Sequence, residues 1–290
     1  MKINSLAEIK PLENTQFWLL AIAATLTAVH ISLYMRLDGN LSQLTISLLG
    51  LGAVFSLLAE KRQTLKFESD IFSSLLGILL IAFALLRSNY VVMVDSFVEL
   101  TPFVVFLGLA LLASGIKGLR QYWLELLIIF AFNLPVGYIS QRLDISIFTA
   151  KFSFAFLSYL GLPVLRQGVN IIMPTGAVEV YPGCSGMETI SQLVKLAILF
   201  IIMFPTSLAK RIIVPIVAIA IAFLVNAIRV ALMAYLVAKS NPEAFEYWHV
   251  GTGSEIFFLS CTILFGGFCY WITKQDDDSD LDERLELPNS

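Results

Sequence analysis

The chain has 290 residues, of which 58% are hydrophobic and 14% charged, and its mean hydropathy is +0.81. Soluble domains carry about a quarter charged residues, so a globular domain in water is excluded, and several apolar runs here reach the ~20 residues that span hydrocarbon. The formal charge of −3 hides a split: seven acids and one Arg follow Lys274, while the body before them is net positive, with 18 basic residues against 15 acidic.

The first seventeen residues are too polar for the front of a cleaved signal peptide, so the first apolar run is expected to stay as a helix. Hydropathy predicts spans near 17–35, 41–59, 71–87, 101–116, 121–138, 188–205, 211–238 and 254–273. The fold class is therefore all-α: a polytopic membrane bundle of about eight helices, one domain over 1–273. Lys and Arg in short loops mark the cytoplasmic side. They gather in 60–66, 116–120 and 208–211, which fits both termini inside and odd spans running outward.

Residues 145–162 form a further apolar run. If it crossed, Lys210 and Arg211 would face outward. Lys151 and several Ser also argue against a crossing, so a helix in the outer interface, or a shallow re-entrant one, is predicted. Pro174-Thr175-Gly176 is turn chemistry, and Val178, Val180 and Tyr181 favour extended structure. A short outer hairpin is expected there. The acidic segment 274–290 has too few apolar residues to pack and reads as a disordered cytoplasmic tail.

Cys184 lies in "VYPGCSGMET", residues 180–189, boxed by Pro182, Gly183 and Gly186. Cys261 and Cys269 sit in the last apolar helix, where cysteine behaves as a small hydrophobe. Neither a disulfide framework nor a metal-ligand spacing is present, so no metal or cofactor is expected. Ser185 and Glu188 match a capping box. That places Cys184 just before a helix N-terminus, where the dipole favours a thiolate.

Arg229 falls within the seventh span. Eighteen residues from Arg211 at 1.5 Å carry it ~27 Å, into the outer half. An Arg at such depth usually faces a partner or a wet cavity. Pairing with Glu179 or Glu255 is the plain alternative. Asn226 lies three residues earlier on the same helical face. His249, beside Trp248, ends the outer loop before the last span, and an interfacial role is its plain alternative. His30, in the first span, reads as a satisfied structural group.

"PGCSG" ahead of one span, "NAIRV" within the next and "WHVGTGSE" ahead of the last together resemble the exosortase/archaeosortase transpeptidases. The "FEYWHVGTGSEIFF" context is most similar to the cyanobacterial branch, the cyanoexosortases. The motifs cover about 165–270; the first 140 residues match only in hydropathy. The resemblance implies a membrane cysteine transpeptidase acting on exported proteins. Their C-terminal sorting signal is a Pro-Glu-Pro-like motif, an apolar helix and a basic cluster. Cys184 is then the nucleophile, Arg229 the oxyanion and thiolate stabiliser, and His249 the general acid and base. Asn226 orients Arg229 or donates a second hydrogen bond. The implied setting is the outer face of the inner membrane. The partners are the exported protein, the lipid bilayer and an acceptor of unspecified chemistry, with no nucleic acid. Two other classes remain open: a transporter with Arg229 lining its path, though no internal repeat is evident, and a serine intramembrane protease using Ser185.

Overall fold

A computed structural model describes residues 15–37, 41–135, 143–204 and 206–286. The polar start of the chain, the expected 121–138 span beyond residue 135, and the last four residues of the tail lie outside the described residues. The chain divides into two compact units, 1–135 and 136–290, where hydropathy alone gives one uninterrupted series of spans.

The first unit holds α1 (Thr15–Arg36), α2 (Leu41–Glu60), α3 (Ile71–Ser88), α4 (Ser96–Gly118), a 3₁₀ turn (Leu119–Tyr122) and α5 (Trp123–Phe132). Asp70 and Asp95 cap α3 and α4, each accepting a backbone N–H at 2.9 Å. Gly115 interrupts α4 with φ 65° and ψ −179°, a conformation that glycine adopts without steric cost. This break and the 3₁₀ turn fall at the junction of the stretches predicted to span at 101–116 and 121–138, and Ser96–Phe132 as a whole is long and apolar enough to cross a membrane. Lys61 pairs with the buried Glu125 at 2.7 Å. His30 is buried too, but its Nδ1 has no hydrogen-bond partner. The satisfied group that the sequence suggests is thus incomplete at this nitrogen, and the ring lies beside that of Tyr34.

The second unit contains α6 (Ser146–Tyr159), β1 (Leu165–Gln167), β2 (Asn170–Met173), β3 (Gly176–Glu179), α7 (Met187–Met203), α8 (Leu208–Ala238), α9 (Pro242–His249) and α10 (Thr252–Glu286). Six helical stretches among the described residues are long and apolar enough to cross a membrane. The 17-residue α7, ~26 Å long, lies at the lower end of the range that spans hydrocarbon. Helix α6, at 14 residues, spans only ~21 Å. It turns Ser146, Thr149, Ala150, Ser153 and Leu157 inward, while Phe148, Phe152 and Phe156 are exposed. Small and hydroxylated residues inside with aromatic residues outside is the pattern of a helix packed in lipid, where close backbone approach replaces the hydrophobic effect.

The same rule shapes α8. Val214, Ala218 and Ala222 recur every fourth residue and bury against Leu193 and Ala197 of α7 and Cys261 and Phe265 of α10. The two late cysteines are core residues. The expected hairpin forms between β2 and β3 in antiparallel register, Ile171 opposite Val178 and Met173 opposite Gly176. A further strand, β1, joins the other edge of β2 through the turn at Gly168, whose φ is 60°. Ile171 and Met173 point into a core shared with Ala150, Leu157, Val230 and Ala234. Backbone of α10 continues into the acidic segment as far as Glu286, where a disordered tail was expected. No Gly or Pro interrupts residues 268–286, so the backbone chemistry lets the helix run that far.

Candidate active site

The loop carrying Cys184 is fixed by its carbonyls. Pro182–Cys184 is a 3₁₀ turn, with the Cys184 N–H donating to Tyr181 O at 2.8 Å. Thr149 Oγ1 on α6 donates to Ser185 O at 2.7 Å, and Asn226 Nδ2 on α8 donates to Cys184 O at 3.0 Å. Ser153 Oγ ties α6 to α8 through Ala227 O at 2.7 Å. Neutral hydrogen bonds of this kind are worth about 1 kcal/mol each, and more is lost when a buried partner is stranded.

The expected capping box does not form. Helix α7 starts at Met187, and its N-cap is Gly186, left-handed at φ 93°. Ser185 is fully buried, and its hydroxyl donates to Pro182 O at 2.7 Å, stabilising the turn before the helix. Glu188 is therefore the second helical residue and accepts from Gln192 Nε2 at 3.4 Å. Ser185 Oγ also accepts the Met187 N–H at 3.4 Å, and Gly186 is closely packed: a Cβ there would lie 2.6 Å from Asn226 Nδ2. Gly186→Ala is expected to cost about 1–3 kcal/mol for the left-handed backbone alone, and to displace Asn226 from Cys184 O. A lowered melting temperature in detergent, with slower Cys184 alkylation, is the result to look for. Unchanged melting would show that the loop relaxes freely.

His249 ends α9, which starts on Asn241 as N-cap and Pro242 at N1. Its Nε2 lies 3.4 Å from Cys184 Sγ, and its ring leans on Phe245 one turn earlier. Arg229 reaches from α8 and donates through Nη2 to His249 O at 2.6 Å. Arg229 Nε is buried with no hydrogen-bond partner. Burial holds the His249 imidazole below its ordinary value, the Arg229 charge lowers it further, and Glu246 opposes both. At neutral pH the ring is therefore uncharged and able to accept a proton. The Tyr181 phenol is pushed up, first by its side-chain hydrogen bond to Cys184 and then by the Cys184 charge and by burial. Gly183 makes room for this ring, since a Cβ there would meet Tyr181 Cε2 at 2.5 Å.

The three residues singled out in the sequence thus meet in one place, although two details differ. Asn226 holds the Cys184 carbonyl where the sequence offered it to Arg229. Arg229 donates to the His249 backbone carbonyl. Thr149, Tyr181 and Gln192 escaped the sequence reading. Thr149 and Gln192 sit inside apolar runs, and Tyr181 gave only a strand preference. A cavity of about 190 Å³ opens onto Cys184 and His249 between β3, α8 and α9. A larger one, about 300 Å³, lies in the first unit and is lined mostly by apolar side chains. Among the described residues no three His, Cys, Asp or Glu side chains are grouped to hold a metal.

A thiol against an uncharged imidazole, with a cation beside the imidazole's backbone at the edge of a cavity, can supply a nucleophile and a base. Residues 38–266 match the model of the transmembrane exosortase family, and the chain belongs to that family of membrane peptidases and transpeptidases. No curated protein and no solved structure matches the chain.

Proposed function

We propose that this protein is a cysteine transpeptidase that cuts the C-terminal sorting signal of exported proteins through a thioester on Cys184. The observation that carries the reading is the 3.4 Å approach of His249 Nε2 to Cys184 Sγ. His249 takes the thiol proton, and the thiolate attacks the scissile carbonyl. The guanidinium charge of Arg229, held against the His249 carbonyl, stabilises the tetrahedral oxyanion. The C–N bond breaks as His249 protonates the leaving amine. An acceptor amine, hydroxyl or water then attacks the thioester, gives its proton to His249 and restores the thiol. Ser185 is a weaker nucleophile candidate because its hydroxyl is buried and committed to Pro182 O. The transporter reading gains no support from polar groups gathered around one cavity.

The Lys and Arg of the short loops support an outer-face cavity with both termini cytoplasmic. One experiment tests chemistry and side together. A membrane-impermeant thiol reagent added outside intact cells is expected to modify one cysteine, Cys184, and to stop processing of a tagged substrate. Cys261 and Cys269 are buried and should stay unmodified. Full processing by protein modified at Cys184 would sink the reading. Labelling only after the membrane is opened would reverse the topology.

A further inference from the structure

The cavity beside Cys184 is walled on one side by five consecutive residues, 177–181. A strand turns alternate side chains to opposite faces, so side chains alone cannot bring all five to one space. The cavity follows the backbone edge of β3. The pairing pattern gives the same answer independently. β3 is the last strand in the order β1-β2-β3. Val180 N–H donates to Val169 O at 3.1 Å, and the register continues with Ile171 opposite Val178 and Met173 opposite Gly176. Bonded and non-bonded pairs alternate along an antiparallel ladder. Gly176, Val178 and Val180 therefore turn their N–H and C=O groups toward β2, and Ala177 and Glu179 turn theirs outward along the cavity. Across from them stand Val230, Met233 and Val237 of α8, with Phe245 and His249 of α9.

We propose that the substrate polypeptide adds to β3 as a fourth strand, bonded to the outward amides of Ala177 and Glu179, and that this addition carries its scissile carbonyl to Cys184. The proposal rests on the reading of Cys184 as a nucleophile toward peptides. Two outward donor–acceptor pairs two residues apart match the repeat of an extended peptide backbone. The apolar wall of α8 and α9 accepts the side chains that point away from the sheet. Main-chain bonds then supply affinity for any extended segment, and the wall supplies selection among side chains. The substrate must be unfolded at its cleavage site to bind.

Proline at position 177 removes an outward N–H and spares the β2 ladder, the one kind of site where a sheet tolerates proline. Arg166→Pro is the matched control. Arg166 stands opposite Ile171 in a non-bonded pair, so its N–H leaves the sheet at the far edge. Ala177→Pro is expected to raise the KM for a tagged substrate roughly tenfold or more, the loss of at least one backbone hydrogen bond. Alkylation of Cys184 by iodoacetamide should keep its rate. Arg166→Pro should change neither quantity. Equal KM values for the two folded variants overturn the proposal.

The substrate side gives a second test that needs no variant to fold. Singly N-methylated peptides covering the mapped cleavage site, used as competitors, are expected to lose affinity at every other position. A flat or aperiodic profile overturns strand addition. Processing that survives Cys184→Ala removes the nucleophile reading instead. An inert Cys184→Ala protein together with a flat profile removes only the strand.

Discussion

Replacing Cys184 by Ala is expected to leave the tagged substrate full length while the protein inserts and melts normally. Losing the nucleophile of a triad hydrolase costs on the order of 10⁶ in rate, so no product should appear on the time scale of the wild-type reaction. The fold should tolerate the change. Cys184 is only half-buried, and the loop is held by backbone groups that Ala retains: its N–H to Tyr181 O and its C=O from Asn226. Ser185→Ala is the companion. It deletes a buried bond to Pro182 O and should cost about 1 kcal/mol of stability, yet retain most of the processing. A serine protease would give the opposite ranking, and a transporter would be indifferent to both. The pH profile adds a sign. His249 must be uncharged to accept the thiol proton, and burial and Arg229 lower its pKa. Acylation is therefore expected to hold through neutral pH and to fall only as pH drops below the usual histidine range.

The second large effect is at Arg229, where two roles can be separated. Nη2 holds the His249 carbonyl at 2.6 Å, which fixes the end of α9, and the guanidinium charge is the proposed stabiliser of a developing oxyanion. Lysine keeps the charge and one point donor but loses the planar fork. Removing an oxyanion donor typically costs ~10²–10³ in rate, roughly 3–4 kcal/mol. Arg229→Lys should process substrate slower by about that factor. Alkylation of Cys184 by iodoacetamide builds no oxyanion, so it should stay near the wild-type rate in this variant. Arg229→Ala also strands the His249 carbonyl and frees the imidazole from Cys184. Both processing and alkylation should then drop. Wild-type processing by Arg229→Lys rejects the oxyanion role and leaves a positioning residue. Normal processing by folded Arg229→Ala rejects the three-residue site.

The sequence by itself determined the class and most of the cast. Apolar runs near twenty residues admit no fold but a membrane helix bundle, because lipid offers backbone amides no other partner. Cys184, Arg229 and His249 stood out because each is a costly or reactive group in a context that does not need it for packing. The turn residues around 174–176 likewise announced the hairpin.

The tertiary structure decided what hydropathy is blind to. Where a helix starts is set by the geometry of the whole loop: α7 starts one residue past the sequence signal, with Gly186 packed on Asn226 and the Ser185 hydroxyl bonded back to Pro182 O. Gly115 breaks the helix at the junction of two predicted spans with a positive φ that leaves no trace in an apolar average. Thr149 and Ser153 read as mere polarity in α6, yet they supply the bonds that anchor the cysteine loop and α8. Hydrogen-bond partners 36 and 74 residues away are set by how helices pack, and no local pattern records them. The outward edge of β3 is of the same kind. Strand propensity predicts a hairpin, but only the register says which amides face the neighbouring strand and which face the cavity.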